Sequence, residues 1–227
     1  KSEFVSIASH ELRSPLNGIT WALNSMGSAT NLTPEQMKTI AEMKTTANNL
    51  MGNINDILNA SAVTGLKNSK LLIEQVDIIE VLKTVTDQQL LTAKERGISI
   101  SMQTIPAGSH IITGDREKLK RVFNNLLSNS IKYSRANSNV EVGFQQTSDQ
   151  YVIHFTDHGI GIPESDQAKI FDGYFRSTNA VKSGATGTGL GLYFALKIVE
   201  LHGGKLWVKS EISKGATMFV QLPISKK

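Results

Sequence analysis

Residues 184–202 read Gly184-Ala185-Thr186-Gly187-Thr188-Gly189-Leu190-Gly191-Leu192, then Tyr193-Phe194-Ala195-Leu196-Lys197-Ile198-Val199-Glu200-Leu201-His202. The glycines run into an apolar segment predicted to be helical over 190–201. Free backbone N–H groups at a helix N-terminus make an anion site through their geometry and the helix dipole. The spacing is not G-x-G-x-x-G, and no strand pattern closely precedes it, which disfavours a doubly wound dinucleotide fold. No G-x-x-x-x-G-K-[ST] sequence occurs anywhere, so a P-loop is excluded.

On either side of this segment, residues 98–103, 140–146, 151–156, 206–209 and 217–222 read as strands, with helices over 79–96 and 116–133. The strands come mostly as adjacent pairs, which predicts an α+β sandwich with a mixed or antiparallel sheet rather than a doubly wound fold. Asp115 is placed to cap the second helix, and Leu119, Val122, Phe123, Leu126, Leu127 and Ile131 form its buried stripe. Arg121, Asn125, Asn129 and Lys132 form a polar row on another face. An asparagine oxygen is a hard ligand suited to Mg²⁺, and Lys132 one turn on could neutralise a phosphate. A solvated helix face explains the same row.

Asp157-His158-Gly159-Ile160-Gly161-Ile162-Pro163 follows the strand over 151–156. A carboxylate at a strand end can accept from an adenine amino group, and glycines beside it permit close approach of the backbone. A capped turn accounts for the pattern equally well. Phe171-Asp172-Gly173-Tyr174-Phe175-Arg176 then opens a Ser/Asn/Gly/Thr stretch reaching about residue 188. It reads as a lid with Arg176 as a γ-phosphate clamp, although Phe171 fits a core anchor as well.

Residues 3–63 have a different period. Leu12, Leu16, Ile19, Leu23 and Met26 fall at heptad spacing, as do Ile40, Met43, Ala47, Leu50, Ile54 and Ile57. Thr33-Pro34-Glu35-Gln36 reads as a helix start with a capping box. One helical hairpin has little interior of its own, so its seams are expected to pair with a second copy as a dimeric four-helix bundle, the other option being its own C-terminal half. A Gly/Lys/Asn/Ser linker over 64–69 divides the chain into 1–66 and 67–227. On the first helix, His10, Ser14 and Asn17 project away from the seam, and Pro15 should kink the helix just after the His10-Glu11 pair. Neutral imidazole is a competent nucleophile, and a carboxylate that takes the proton of one ring nitrogen activates the other. A plain surface His-Glu pair fits these residues about equally.

Ser9-His10-Glu11-Leu12-Arg13-Ser14-Pro15-Leu16-Asn17 resembles the H-box of sensor histidine kinases. In order and spacing, Asn125–Ser134 is similar to the family's N-box, Asp157–Gly161 to its G1-box, Phe171–Arg176 to its F-box and Gly187–Gly191 to its G2-box. The resemblance covers essentially the whole chain and implies an ATP-binding sandwich shared with gyrase, MutL and heat-shock chaperone ATPases. It implies His10 as the autophosphorylated residue, Glu11 as its base, and Asn129 as the Mg²⁺ ligand. Lys132 would meet the phosphates, Asp157 the adenine and Tyr133 the base pocket. Asn125, Gly159, Gly161, Phe171, Arg176, Gly187, Gly189, Leu190 and Gly191 would complete the nucleotide site. Ser14 stands where the family more often has the Thr or Asn linked to dephosphorylation of the partner. The implied partners are a second copy and a response-regulator receiver domain, and the implied setting is the cytoplasmic portion of a membrane-anchored bacterial sensor. A kinase-inactive nucleotide-binding module of the same fold is the alternative.

The 227 residues carry a net charge of +4 without any cationic run, which argues against nucleic acid. With no cysteine, disulfides, thiolate metal sites and cysteine nucleophiles are excluded. No apolar stretch reaches the roughly 18–20 residues needed to cross a bilayer, so no membrane contact is expected within a chain read as a piece of something longer. Of the remaining histidines, His154 lies in a strand, His110 and His158 in loops, and His202 at a helix end where a cation suits the dipole. None has metal-ligand spacing.

Overall fold

The computed structural model describes residues 15, 17–27, 32–44, 46–47, 71–103, 108–185 and 187–224. The chain divides into two compact units, one of residues 1–69 with 186–188, the other of 70–185 with 189–227. In the first unit, residues 17–26 (α1) and 34–44 (α2) are helical. The capping box forms as the sequence predicts. Gln36 N donates to Thr33 Oγ1 (3.2 Å) and Thr33 N to Gln36 Oε1 (2.8 Å), so two donors at the start of α2 are satisfied reciprocally. Leu23, Ile40 and Ala47 of the predicted seams are buried, whereas Ile19, Met26 and Met43 are each about half exposed (50%, 54% and 53%). Trp21 is exposed. His10, Glu11 and Ser14 lie outside the described residues, as do Leu12, Leu16, Leu50, Ile54 and Ile57.

The second unit begins with β1 (Glu74–Asp77) and α3 (Ile78–Glu95), the latter capped by Asp77, whose side chain accepts from Ile79 N and Glu80 N. Then come β2 (Ser99–Met102), β3 (Ile111–Gly114), α4 (Arg116–Tyr133), β4 (Asn139–Gln146) and β5 (Gln150–Asp157). The chain continues through α5 (Glu164–Gln167), a 3₁₀ turn at Lys169–Phe171, α6 (Thr178–Lys182) and α7 (Gly191–Leu201). It closes with β6 (Lys205–Glu211) and β7 (Gly215–Pro223). The five-stranded sheet has the order β2-β4-β5-β7-β6, with β2 parallel to β4 and the other pairs antiparallel. β1 and β3 pair separately as an antiparallel ribbon. The mixed sheet of an α+β sandwich is therefore as expected. The ribbon is not, because its four-residue strands are too short to show a period.

Alternation decides the faces. Tyr151, Ile153 and Phe155 of β5, with Met218, Val220 and Leu222 of β7, are buried in one core with α3, α4 and α7. The predicted stripe of α4 is buried in full, from Leu119 to Ile131. The opposite sheet face carries Trp207 stacked on Phe219 (centroids 5.1 Å, interplanar angle 5°), with His154 beside Phe219 in register. Among the described residues, no helix is long and apolar enough to cross a membrane.

Candidate functional site

The end of β5, the C-terminal half of α4 and the start of α7 converge through closely packed glycines. A Cβ on Gly159 would lie 1.9 Å from Tyr133 O, and Ile160 N donates to that carbonyl at 3.2 Å. The turn after β5 is thereby fixed to the last turn of α4. Gly161, at φ +66°, lies equally close to Glu211 O. Gly189, at φ +75°, packs on the Tyr174–Phe175 backbone, and Tyr174 N donates to its carbonyl (3.1 Å). A Cβ on Gly191 would sit 2.4 Å from Asn125 Oδ1. Four segments far apart in sequence thus touch in sequence pairs: 157–161 with α4, 171–176 with Gly189, and Gly191 with α4.

Asp157 is buried, and its Oδ1 accepts from Gly159 N (3.0 Å) and Ala216 N (3.2 Å). Desolvation lifts its carboxyl to about 6, against the pull of those N–H groups and His158. Asn129 donates from Nδ2 to Asn125 Oδ1 (3.4 Å), leaving its own amide oxygen as the acceptor end. The Tyr133 hydroxyl is pushed up by burial, with Arg176 opposing. Arg176 donates from Nη2 to Ala185 O. Its Nε and the Nδ2 of Asn125 are buried donors with no hydrogen-bond partner among the described residues. One meets the glycine segment at its start, the other at its end. Buried donors are rarely left unpaired.

Residues 1–65 match the family of the His Kinase A (phospho-acceptor) domain, and residues 114–226 match that of the Histidine kinase-, DNA gyrase B-, and HSP90-like ATPase. The chain belongs to the histidine kinases. Over 98% of its length, this histidine kinase chain is 30% identical to the Signal transduction histidine-protein kinase BarA of Escherichia coli (strain K12) and 30% identical to the Sensor protein kinase WalK of Staphylococcus haemolyticus. It spans 24% of BarA and 36% of WalK. Full-length ShkA, solved in complex with AMPPNP, is similar with a TM-score of 0.78 at 25% identity, over 100% of this chain and 47% of ShkA.

In the histidine kinase chain, Asn125, Asn129, Lys132 and Tyr133 all lie in the last three turns of α4 and are half-buried, whereas Arg121, the first member of the predicted polar row, is exposed. Lys132 Nζ stands 5.0 Å from the Tyr133 ring centroid. Leu190 is buried, and α7 starts one residue later than predicted, at Gly191. Phe171 ends the 3₁₀ turn and packs against the core, which favours its anchor reading. The lid stretch contains a short helix, α6, that a polar loop reading does not anticipate. Two residues missed in the sequence tie it down. Buried Asp166 accepts from Thr178 N (3.1 Å), and Asn179 donates to Ile160 O (3.2 Å) and to Gly161 O. The Ser177-Thr178-Asn179 cluster, rich in capping residues, was the available signal.

His202 corrects the dipole expectation. Its Nε2 accepts from Asp115 N (2.9 Å) and its Nδ1 lies 2.7 Å from Ile198 O, while burial lowers its pKa against the Ile198 bond and Asp115. It is a neutral buried acceptor. Among the described residues, no cluster of three or more His, Cys, Asp or Glu could hold a metal ion. Any metal here would rest on neutral amide oxygens together with ligand phosphates, the arrangement Mg²⁺ accepts.

Proposed function

We propose that this chain is the catalytic core of a sensor kinase that phosphorylates its own His10 from ATP and passes the phosphoryl group to an aspartate of a response-regulator receiver domain. The observation that carries the nucleotide site is the pair of unpartnered buried donors, Arg176 Nε and Asn125 Nδ2, at the two ends of the Gly184–Gly191 segment. Residues 1–66 would be the dimerisation and phosphotransfer hairpin and 67–227 the ATP-binding domain. The half-exposed Ile19, Met26 and Met43 support a homodimer. The setting proposed for it is the cytoplasmic side of a membrane-anchored bacterial sensor.

In this reading Asp157 selects adenine by accepting from its amino group, and Tyr133 packs on the base. Lys132 and Arg176 neutralise phosphate charge, and backbone amides around Gly187, Gly189, Leu190 and Gly191 donate to phosphate oxygens. The oxygen of Asn129, beside Asn125, would hold Mg²⁺, which when bound offsets the negative charge of the β- and γ-phosphates. Glu11 takes the proton of the attacking imidazole. The ring nitrogen of His10 bonds to the γ-phosphorus as the bond to the bridging oxygen breaks, and ADP leaves. The Ser14 hydroxyl could orient a water for the reverse, dephosphorylating role.

Incubation with γ-labelled ATP and Mg²⁺ tests the reading. The unaltered chain should acquire an acid-labile, alkali-stable label, and His10→Gln none. Persistent labelling of His10→Gln would place the acceptor elsewhere. ATP binding without any label would identify the kinase-inactive module.

A further inference from the structure

His202 stands at the opposite end of α7 from the glycine segment, as the C-cap of that helix. Asp115 to Asn125 and Gly191 to His202 span nearly equal numbers of residues, roughly 15–16 Å of helix at 1.5 Å per residue. The two stretches meet at both ends. Gly191 lies on Asn125, and at the other end His202 Nε2 accepts the Asp115 N–H. α7 therefore lies antiparallel along the first half of α4, pinned twice.

The far pin is built for an imidazole of one tautomer. Ile198 O can only accept, so Nδ1 carries the proton and Nε2 is bare. Gly114 makes the space, since a Cβ there would come within 2.7 Å of the ring. The held N–H belongs to the buried N-cap of α4, whose carboxylate is already engaged by Leu72 N (3.1 Å), Lys118 N (3.1 Å) and Lys118 Nζ (2.5 Å). Without His202 that backbone donor would be orphaned. Asp115 and Lys118 are the charged groups facing the ring.

We propose that His202 is a positioning residue: by holding the Asp115 N–H it sets the axial register of α7 on α4, and hence the spacing between the amides that begin α7 and the Asn125–Asn129 pair. A slip of one residue would move those amides by about 1.5 Å, enough to misplace phosphate contacts. The inference rests on the nucleotide site proposed above.

Asparagine and glutamine separate positioning from mere capping. The His202→Asn side chain reaches only the place of Nδ1, so it can keep the Ile198 bond but leaves the Asp115 N–H unpaired. The His202→Gln amide oxygen reaches the place of Nε2. ADP affinity, measured by calorimetry on the whole chain, should fall about tenfold in His202→Asn, the effect of one orphaned buried donor, and return to near the unaltered value in His202→Gln. Equal affinity in both variants overturns the inference. If both melt early, Gly114→Ala decides, because it displaces the ring without changing its chemistry; unchanged ADP affinity there also overturns it. Wild-type affinity in His202→Asn would defeat the register alone, whereas the expected pattern in a chain that never labels His10 would defeat the kinase reading alone.

Discussion

Asp157 Oδ1 accepts the Ala216 N–H at 3.2 Å, so the carboxyl that ends β5 is held by its register partner at the start of β7. Gly215, whose missing Cβ would fall 2.0 Å from Asp157 O, lets β7 come this close. The grip fixes where the carboxyl points without giving it a cationic partner.

A pH signature follows. With its folded pKa raised from 3.8 to about 6, Asp157 binds its proton more tightly in the folded chain than in the unfolded one. Its contribution to stability therefore falls as pH rises from about 4 to 6, costing up to about 3 kcal/mol at neutral pH. Asp157→Asn should resist urea better than the unaltered chain at pH 7.5, with the advantage gone near pH 4. The same variant should bind ADP at least about tenfold more weakly, since one hydrogen bond to adenine is lost. No stability difference at pH 7.5 would mean the carboxylate is better solvated than its burial indicates.

Two glycine substitutions should separate stability from binding. Gly161→Ala combines φ +66° with backbone at 2.0 Å, so neither torsion nor neighbour can yield. A drop in melting temperature of roughly 5–10 °C is expected. Gly191→Ala meets only the Asn125 side chain, at 2.4 Å, which can swing aside. Its melting temperature should change little while ADP affinity drops, because Asn125 and the Asn129 bonded to it are displaced.

For Asn129→Ala, the rate of His10 labelling should fall by at least about a hundredfold, the scale for losing a charge-stabilising group at the reacting centre. ADP binding measured without Mg²⁺ should change little. Comparable losses in both assays would show Asn129 acting on the nucleotide itself rather than through the metal.

In the helical hairpin, Ile19→Glu with Met43→Glu should yield a monomer by analytical ultracentrifugation, because both positions are half-exposed on the predicted seams. Thr33→Ala removes one half of the capping box and should cost about 1 kcal/mol without affecting nucleotide affinity. A double variant that still sediments as a dimer would place the pairing surface elsewhere.

What could be read from the amino acids alone followed the length of each pattern. α4 was legible to the residue because its apolar stripe repeats for more than three turns and Asp115 caps it. The turn after β5 was legible because a strand leads directly into Asp157 and its glycines. The Glu74–Asp77 ribbon strand was not, since its single buried residue, Val76, sets no period. α6 hid in a polar stretch because the partners that hold it, the Asp166 carboxylate and the Ile160 carbonyl, lie outside its own turn. His202 was misread for a related reason. A helix end attracts a cation only where water reaches it, and the partner that keeps this ring neutral lies 87 residues away in sequence.

The stacking of Trp207 on Phe219 gives the molecule a built-in optical reporter. The chain has two tryptophans, and each compact unit holds one: Trp21 is 74% exposed in the helical unit, while Trp207 is half-buried on the sheet of the other. Their emission should differ in colour and in access to a soluble quencher. With Trp21 replaced by phenylalanine, the remaining fluorescence would follow the sheet unit alone, so that its melting can be recorded inside the intact chain while the hairpin contributes no signal.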